Sequence, residues 1–159
     1  LSRRYLALVK GHVPFEEGTV DASIGRHQVR RKEMTVRYLG GREAVTRYRV
    51  LKRFAAQGSP AQRRGSPQLP FPYTLLEVAL QTGRTHQIRV HMAHLGYPVL
   101  GDAVYSGVPQ GVWTGYCIYR QLLHAHAIRF AHPTSRQSVE LTAPFPDDMR
   151  RWVSSESPS

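Results

Sequence analysis

Between Gln81 and Asp102 the chain reads QTGRTHQIRVHMAHLGYPVLGD, and this stretch restricts the fold more than any other. It starts where the apolar run Thr74–Leu80, TLLEVAL, ends. Thr82–Gly83 reads as a turn, because glycine takes positive φ without a Cβ penalty. Thr85 is placed to cap a helix by accepting a bond from a first-turn N–H. The helix is predicted to reach Leu95, with Gly96 just past its end and Pro98 preventing continuation. Ile88, Met92 and Leu95 stand at i, i+4 and i+7, which makes one buried face. Arg84, His86, Gln87, Arg89, His91 and His94 lie on the flanks. The helix start thus gathers cationic and polar side chains beside free N–H groups and the positive end of the dipole. That arrangement suits a phosphate or a carboxylate, and it also suits an ordinary solvated helix start.

Around this stretch the chain is rich in strands. In Arg3–Gly11, RRYLALVKG, both alternating sets of side chains are largely apolar, as in a strand covered on both faces. Thr19–Gly25 reads as a short strand. Arg42–Phe54 is rich in Val, Thr, Tyr and Leu and reads as a longer one, with Arg47 and Arg49 on its wet face. Residues 55–72 carry Pro, Gly and Ser and read as a flexible insertion in a hairpin, closed by Thr74–Leu80. Ser106–Gly115 reads as a Gly-rich loop, and the segment from Tyr116 to Leu123 as the start of a small helix. His124–Pro133 and Gln137–Pro144 read as two strands joined by a turn. A last helical turn holds Met149 and Trp152. The expectation is one α+β domain over 1–153, with mostly antiparallel strands and few helices, and a disordered tail at 154–159.

Charge narrows the partner. Lys+Arg number 22 against 11 Asp+Glu, a net +11, and the four cations Arg26, Arg30, Arg31 and Lys32 crowd one loop. That passes the composition test for nucleic acid, and the loop reads equally as a phosphate contact or a solvated basic segment. Cys117 is the single cysteine, which excludes an internal disulfide and points to a reducing, intracellular compartment. Cytoplasm, nucleus and mitochondrion are not distinguished by it. No run of about 18 apolar residues is present, so no membrane helix is expected. His86, His91 and His94 invite a metal reading. However, no Asp, Glu or Cys joins them in the helix, and Arg84 and Arg89 repel a cation, so no metal is expected.

The Gln81–Asp102 stretch resembles the C-terminal signature of the RluA-type RNA pseudouridine synthases. That signature runs Gly-Arg-Thr-His-Gln-Ile-Arg-Val-His, then Leu-Gly-His-Pro, then Gly-Asp. Here it is met by Gly83–His91, by Leu95–Pro98 with Tyr97 in place of His, and by Gly101–Asp102. Weaker likeness extends from Arg3–Gly11 to Glu140–Met149, so most of the chain is covered, and it is similar to RNA pseudouridylate synthase domain-containing proteins. The resemblance implies an isomerase that detaches uracil from its ribose and rejoins it through carbon, without a cofactor. It implies that Arg89 pairs with the catalytic Asp, that Tyr5 packs against the target base, and that Ile88 is the apolar wall behind it. Arg84, His86 and Gln87 would meet backbone phosphate or the base edge, and Asp102 would serve a turn or cap.

The family's nucleophile lies in a His-Arg-Leu-Asp motif, and none of Asp21, Asp102, Asp147 and Asp148 has that context. With Leu1 at its start, the chain reads as the C-terminal part of a catalytic domain, inactive by itself and monomeric. The rival readings are a non-catalytic RNA-binding module and a basic protein-interaction domain with no RNA role. Which RNA, such as a tRNA or rRNA, and which uridine are not specified by any residue.

Overall fold

The computed structural model describes residues 1–57 and 68–153. Its frame is a six-stranded sheet in the order β2-β5-β6-β1-β7-β8, every neighbouring pair antiparallel. The strands are β1 (Ser2–Lys10), β2 (Glu17–Asp21), β5 (Val45–Phe54), β6 (Tyr73–Leu80), β7 (Leu123–Ala131) and β8 (Ser138–Thr142). A separate hairpin pairs β3 (Ile24–Arg26) with β4 (Met34–Val36). The helices are α1 (Gln87–His94), α2 (Gln110–Gly115) and α3 (Asp147–Val153). The class is the expected α+β. No helix among the described residues is long and apolar enough to cross a membrane.

β1 is central, and its doubly apolar pattern has a direct cause. Leu6 and Leu8 pack on one face with Trp113, Met149 and Trp152 of α2 and α3. Ala7 and Val9 pack on the other with Ile88 and Met92 of α1. Burying side chains on both faces removes about 25 cal/mol of unfavourable hydration per Å² of apolar surface. A third, smaller cluster seats the β3–β4 hairpin: Ile24 and Ala44 meet Val90 of α1, with Met34, Val36 and Tyr105 around them.

Several sequence expectations are corrected. The run Thr19–Gly25 breaks at Ala22–Ser23 into β2 and β3, so the basic loop lies at a hairpin tip outside the main sheet. The supposed loop Ser106–Gly115 contains α2, which buries Trp113 completely. The segment from Tyr116 to Leu123 forms no helix. Of the expected flexible insertion, 58–67 lies outside the described residues, as does the tail 154–159. The flanks of the insertion are tied down, because Gln57 N–H donates to Leu69 O at 3.0 Å and Leu69 is buried.

Candidate active site

α1 enters differently from the prediction. Thr85 is exposed and caps nothing, and the residue before the helix, His86, sits at φ 55° in the left-handed region. A non-glycine residue there is strained. The turn is stabilised instead by Gln87. Its Oε1 accepts from Thr82 Oγ1 at 2.8 Å and Arg84 N–H at 3.0 Å. Its Nε2 donates to Val45 O and Thr46 Oγ1, both at 3.0 Å. Thr46 hydroxyl and His91 Nδ1 lie 2.7 Å apart, and His91 Nε2 reaches Ala22 O at 2.8 Å. Burial pushes His91 below the usual imidazole range, which favours the neutral ring such a chain requires. Both lone pairs and both protons of the Gln87 amide are therefore engaged by protein. Gln87 and His91 are buried and hold the helix down rather than flanking it. Leu95, expected in the core, is 38% exposed, and Val90 is buried in its stead.

The helix ends as predicted, with Gly96 at φ 91° donating to Ala93 O and Tyr97 N–H donating to Met92 O. This pair of bonds is a Schellman closure, and it needs the positive φ that glycine supplies cheaply. The chain then runs back along β1, with Lys10 N–H on Pro98 O and Leu100 N–H on Leu8 O. That return path delivers Asp102 beside Arg89.

Arg89 grips Asp102 with both prongs, Nε to Oδ2 at 2.8 Å and Nη2 to Oδ1 at 2.9 Å. The Asp102 side chain is 0% exposed and that of Arg89 12%. The bonds from Asp102 raise the Arg89 pKa above its ordinary value, so the guanidinium stays charged. Asp102 Oδ1 also accepts the N–H groups of Val104 and Tyr105, so the turn role expected for it is present alongside the ion pair. Arg89 lies 5.0 Å from the Tyr105 ring centroid, in cation–π geometry. Tyr105, which backs the two cleft residues Arg89 and His86, is a residue that sequence reasoning missed. Its only local signal is that it follows Asp102 by three positions, the span of an aspartate-led turn.

The structure brings Tyr5, Arg84, His86, Gln87, Ile88 and Arg89 together around one cleft of about 300 Å³, closed by Leu80, Gln121 and Leu123. Tyr5 enters from β1 just where the pairing with β7 slips register, and such irregularities re-aim side chains. Its ring packs on the cluster that contains Ile88. Arg84 is steered by Nε donating to Glu43 O at 2.8 Å. His86 Nδ1 lies 2.8 Å from Tyr105 Oη. Burial first, and then the Arg89 charge, push His86 below the usual imidazole range. The cleft therefore offers an aromatic face, an apolar wall and fixed cations, a set suited to a planar polar ring attached to an anion. The three histidines do not converge. Among the described residues, no group of three or more His, Cys, Asp or Glu side chains is arranged to hold a metal.

The comparisons with known proteins point to one family. The family model described as RNA pseudouridylate synthase matches residues 1–94. "Ribosomal large subunit pseudouridine synthase D" of Xanthomonas campestris is 42% identical over 160 residues, covering 96% of this chain and 43% of its own. The protein of the same name from Pseudomonas aeruginosa is 41% identical, covering 93% and 43%. Among solved structures, "Human RNA Pseudouridylate Synthase Domain Containing 1" aligns with a TM-score of 0.69 at 30% identity, over 90% of this chain and 54% of that one. The chain spans less than half the length of these curated relatives. With the family model covering more than half of its residues and these relatives beside it, the chain belongs to the RNA pseudouridylate synthase family.

Proposed function

We propose that this chain supplies the base-facing wall of an enzyme that isomerises uridine to pseudouridine in RNA. The observation that carries the reading is the convergence of Tyr5, Arg84, His86, Ile88 and Arg89 from two distant stretches onto one cleft. In this reading Tyr5 stacks on the flipped-out uracil. That replaces base stacking worth roughly 1–3 kcal/mol lost on leaving the helix. Ile88 is the apolar wall behind the ring. Arg84 and His86 meet phosphate or the base edge, and Gln87 serves them by fixing the turn. Arg89 presents a fixed positive charge that orients the nucleophilic carboxylate.

In this reading that carboxylate comes from outside the lining of the cleft. Among the described residues lining it none is acidic. Asp102 is fully buried under Arg89, and Asp21, Asp147 and Asp148 lie at exposed ends of β2 and α3. The chain by itself is thus expected to bind RNA and not to isomerise it. The +11 charge and the exposed cations at the β3–β4 tip support weak, salt-sensitive binding, each phosphate contact adding about 0.7 to the log–log salt slope.

Incubating the purified chain with transcribed tRNA and rRNA fragments, and counting pseudouridine by mass spectrometry, tests the assignment. The expected result is no product above background. Turnover would mean that one of these aspartates is the nucleophile and the roles above are wrong. Affinity unchanged between low and moderate salt would reject the phosphate contacts.

A further inference from the structure

Tyr105 touches two residues of the cleft, His86 and Arg89, and also the basic hairpin. On the cleft side its hydroxyl lies 2.8 Å from His86 Nδ1 and its ring lies beneath the Arg89 guanidinium. On the hairpin side its Oη accepts Met34 N–H at 3.0 Å, and Met34 is the first residue of β4. The backbone N–H of Tyr105 is fixed by Asp102 Oδ1, which in turn holds Arg89. The hairpin tip, with Arg30, Arg31 and Lys32 exposed, lines no part of the cleft itself.

We propose that Tyr105 is a positioning residue that couples RNA engagement by the β3–β4 hairpin to the placement of His86 and Arg89 in the cleft. The proposal rests on the RNA-binding reading above.

The physical basis is the hairpin's slender support. Each of its strands contributes three residues, and a two-stranded hairpin is marginal alone. Its orientation is set by the bridge Ile24–Arg42, by Arg37 N–H on Ser23 O, by the cluster around Ile24 and Val90, and by Tyr105. A phosphate bound at the tip biases that orientation, and Met34 N–H moves with it. In this coupling Oη accepts Met34 N–H and gives its own proton to His86 Nδ1. The imidazole then carries its own proton on Nε2, which makes His86 a donor to the cleft. The lowered proton affinity of His86 agrees with a neutral ring held this way. His86 is also the strained left-handed residue that opens α1, so the hydroxyl restrains a conformation the backbone disfavours. By linkage, whatever the hairpin gains from an ordered Tyr105, the cleft gains from an engaged hairpin.

The experiment is a double-mutant cycle on this chain, with a fluorescent oligouridine of about ten nucleotides as probe. The proteins are the parent, Tyr105→Phe, the hairpin triple Arg30→Gln/Arg31→Gln/Lys32→Gln, and the two combined. Tyr105→Phe keeps the ring beneath Arg89 and removes only the hydroxyl. It is expected to weaken binding about three- to tenfold in the parent, the span of one intramolecular hydrogen bond. In the neutralised hairpin it is expected to change almost nothing. Costs that simply multiply would overturn the coupling while leaving RNA binding intact. A parent chain with no salt-sensitive binding would refute the RNA reading itself and take the coupling with it. An independent readout uses the parent alone, in case Tyr105→Phe misfolds. Adding oligouridine should slow hydrogen exchange at Met34 N–H and shift the His86 ring nitrogens. Binding that leaves both unmoved refutes the proposal.

Discussion

Asp102→Asn isolates what the carboxylate does for the cleft. Asparagine keeps an oxygen for the Val104 and Tyr105 N–H groups, so the turn survives. At the other position Nδ2 replaces Oδ2 and faces Arg89 Nε–H, two donors head to head. The pair is almost wholly buried, with side-chain exposure of 12% for Arg89 and 0% for Asp102. Removing one partner of a buried pair leaves an uncompensated charge and costs about 3–5 kcal/mol. The 12% exposure lets Arg89 regain some water, which places this site near the lower end, about 3 kcal/mol. With a urea m-value of about 2 kcal/mol per molar, the unfolding midpoint should fall by about 1.5 M. The control is Asp148→Asn, whose partner Arg120 forms an equally bidentate fork at side-chain exposures of 39% and 48%. Exposed pairs contribute about 0–1 kcal/mol, so its midpoint should barely move. The argument rests on burial, because the two forks have nearly the same geometry. Equal losses at the two sites would refute it.

Arg89→Lys keeps the charge and gives up the fork. Under the proposed function, in a protein that also carries the nucleophilic carboxylate, this should slow the chemical step on the order of 100-fold in single-turnover kinetics. A variant that fails only by binding RNA less tightly would make Arg89 a phosphate contact. Gly101→Ala should unfold the chain or cost more than about 3 kcal/mol in denaturant, since Gly101 has φ +82° and a Cβ there would lie 2.0 Å from Arg120 O. Stability should decline on acidification, because folded His91 resists the proton that the unfolded chain accepts below about pH 6.5. His86 acts in the same direction. Stability from this source is complete above that pH and is lost as pH falls through it. A His91→Asn variant should therefore show a shallower decline between about pH 7.5 and 5.5 in urea melts. Parallel declines would remove His91 from the explanation.

Much of the fold was legible wherever local pattern and tertiary need coincide. β1 reads as doubly apolar because clusters lie on both of its faces, and Gly96 reads as a stop because the Schellman closure needs its positive φ. The helix start was misread for the opposite reason. Thr85 has the right side chain for a cap, but it caps nothing, and the turn ahead of the helix is closed by Gln87 Oε1 on Arg84 N–H. Gln87 can fill that role because Val45 and Thr46 approach from more than 40 residues away. Spacing along the chain carries no trace of that approach. α2 was hidden by Pro109, Gly111 and Gly115, turn residues in any local reading. The burial of Trp113 against β1 is a property of the packed molecule. The convergence of Tyr5 with Arg89 was reached through the family resemblance. Neither residue type nor spacing joins positions so far apart.

A helix of eight residues is too short to be stable alone, so α1 owes its direction to what clamps its ends. One end is closed by Gly96 and Tyr97, and the other is fixed by the Gln87–Thr46–His91 chain running into β5 and β2. Arg89 lies between buried Ile88 and Val90, so its exit from the helix is determined by the core on both sides. Asp102 then takes the Nε and Nη2 edge of the guanidinium, and among the described residues Nη1 bonds nothing. A carboxylate arriving in the cleft would meet that remaining edge. It would share one cation with Asp102, whose pull both orients the guanidinium and weakens its hold on a second anion. The balance favours placement over affinity, which suits the role proposed for Arg89, aiming a nucleophile.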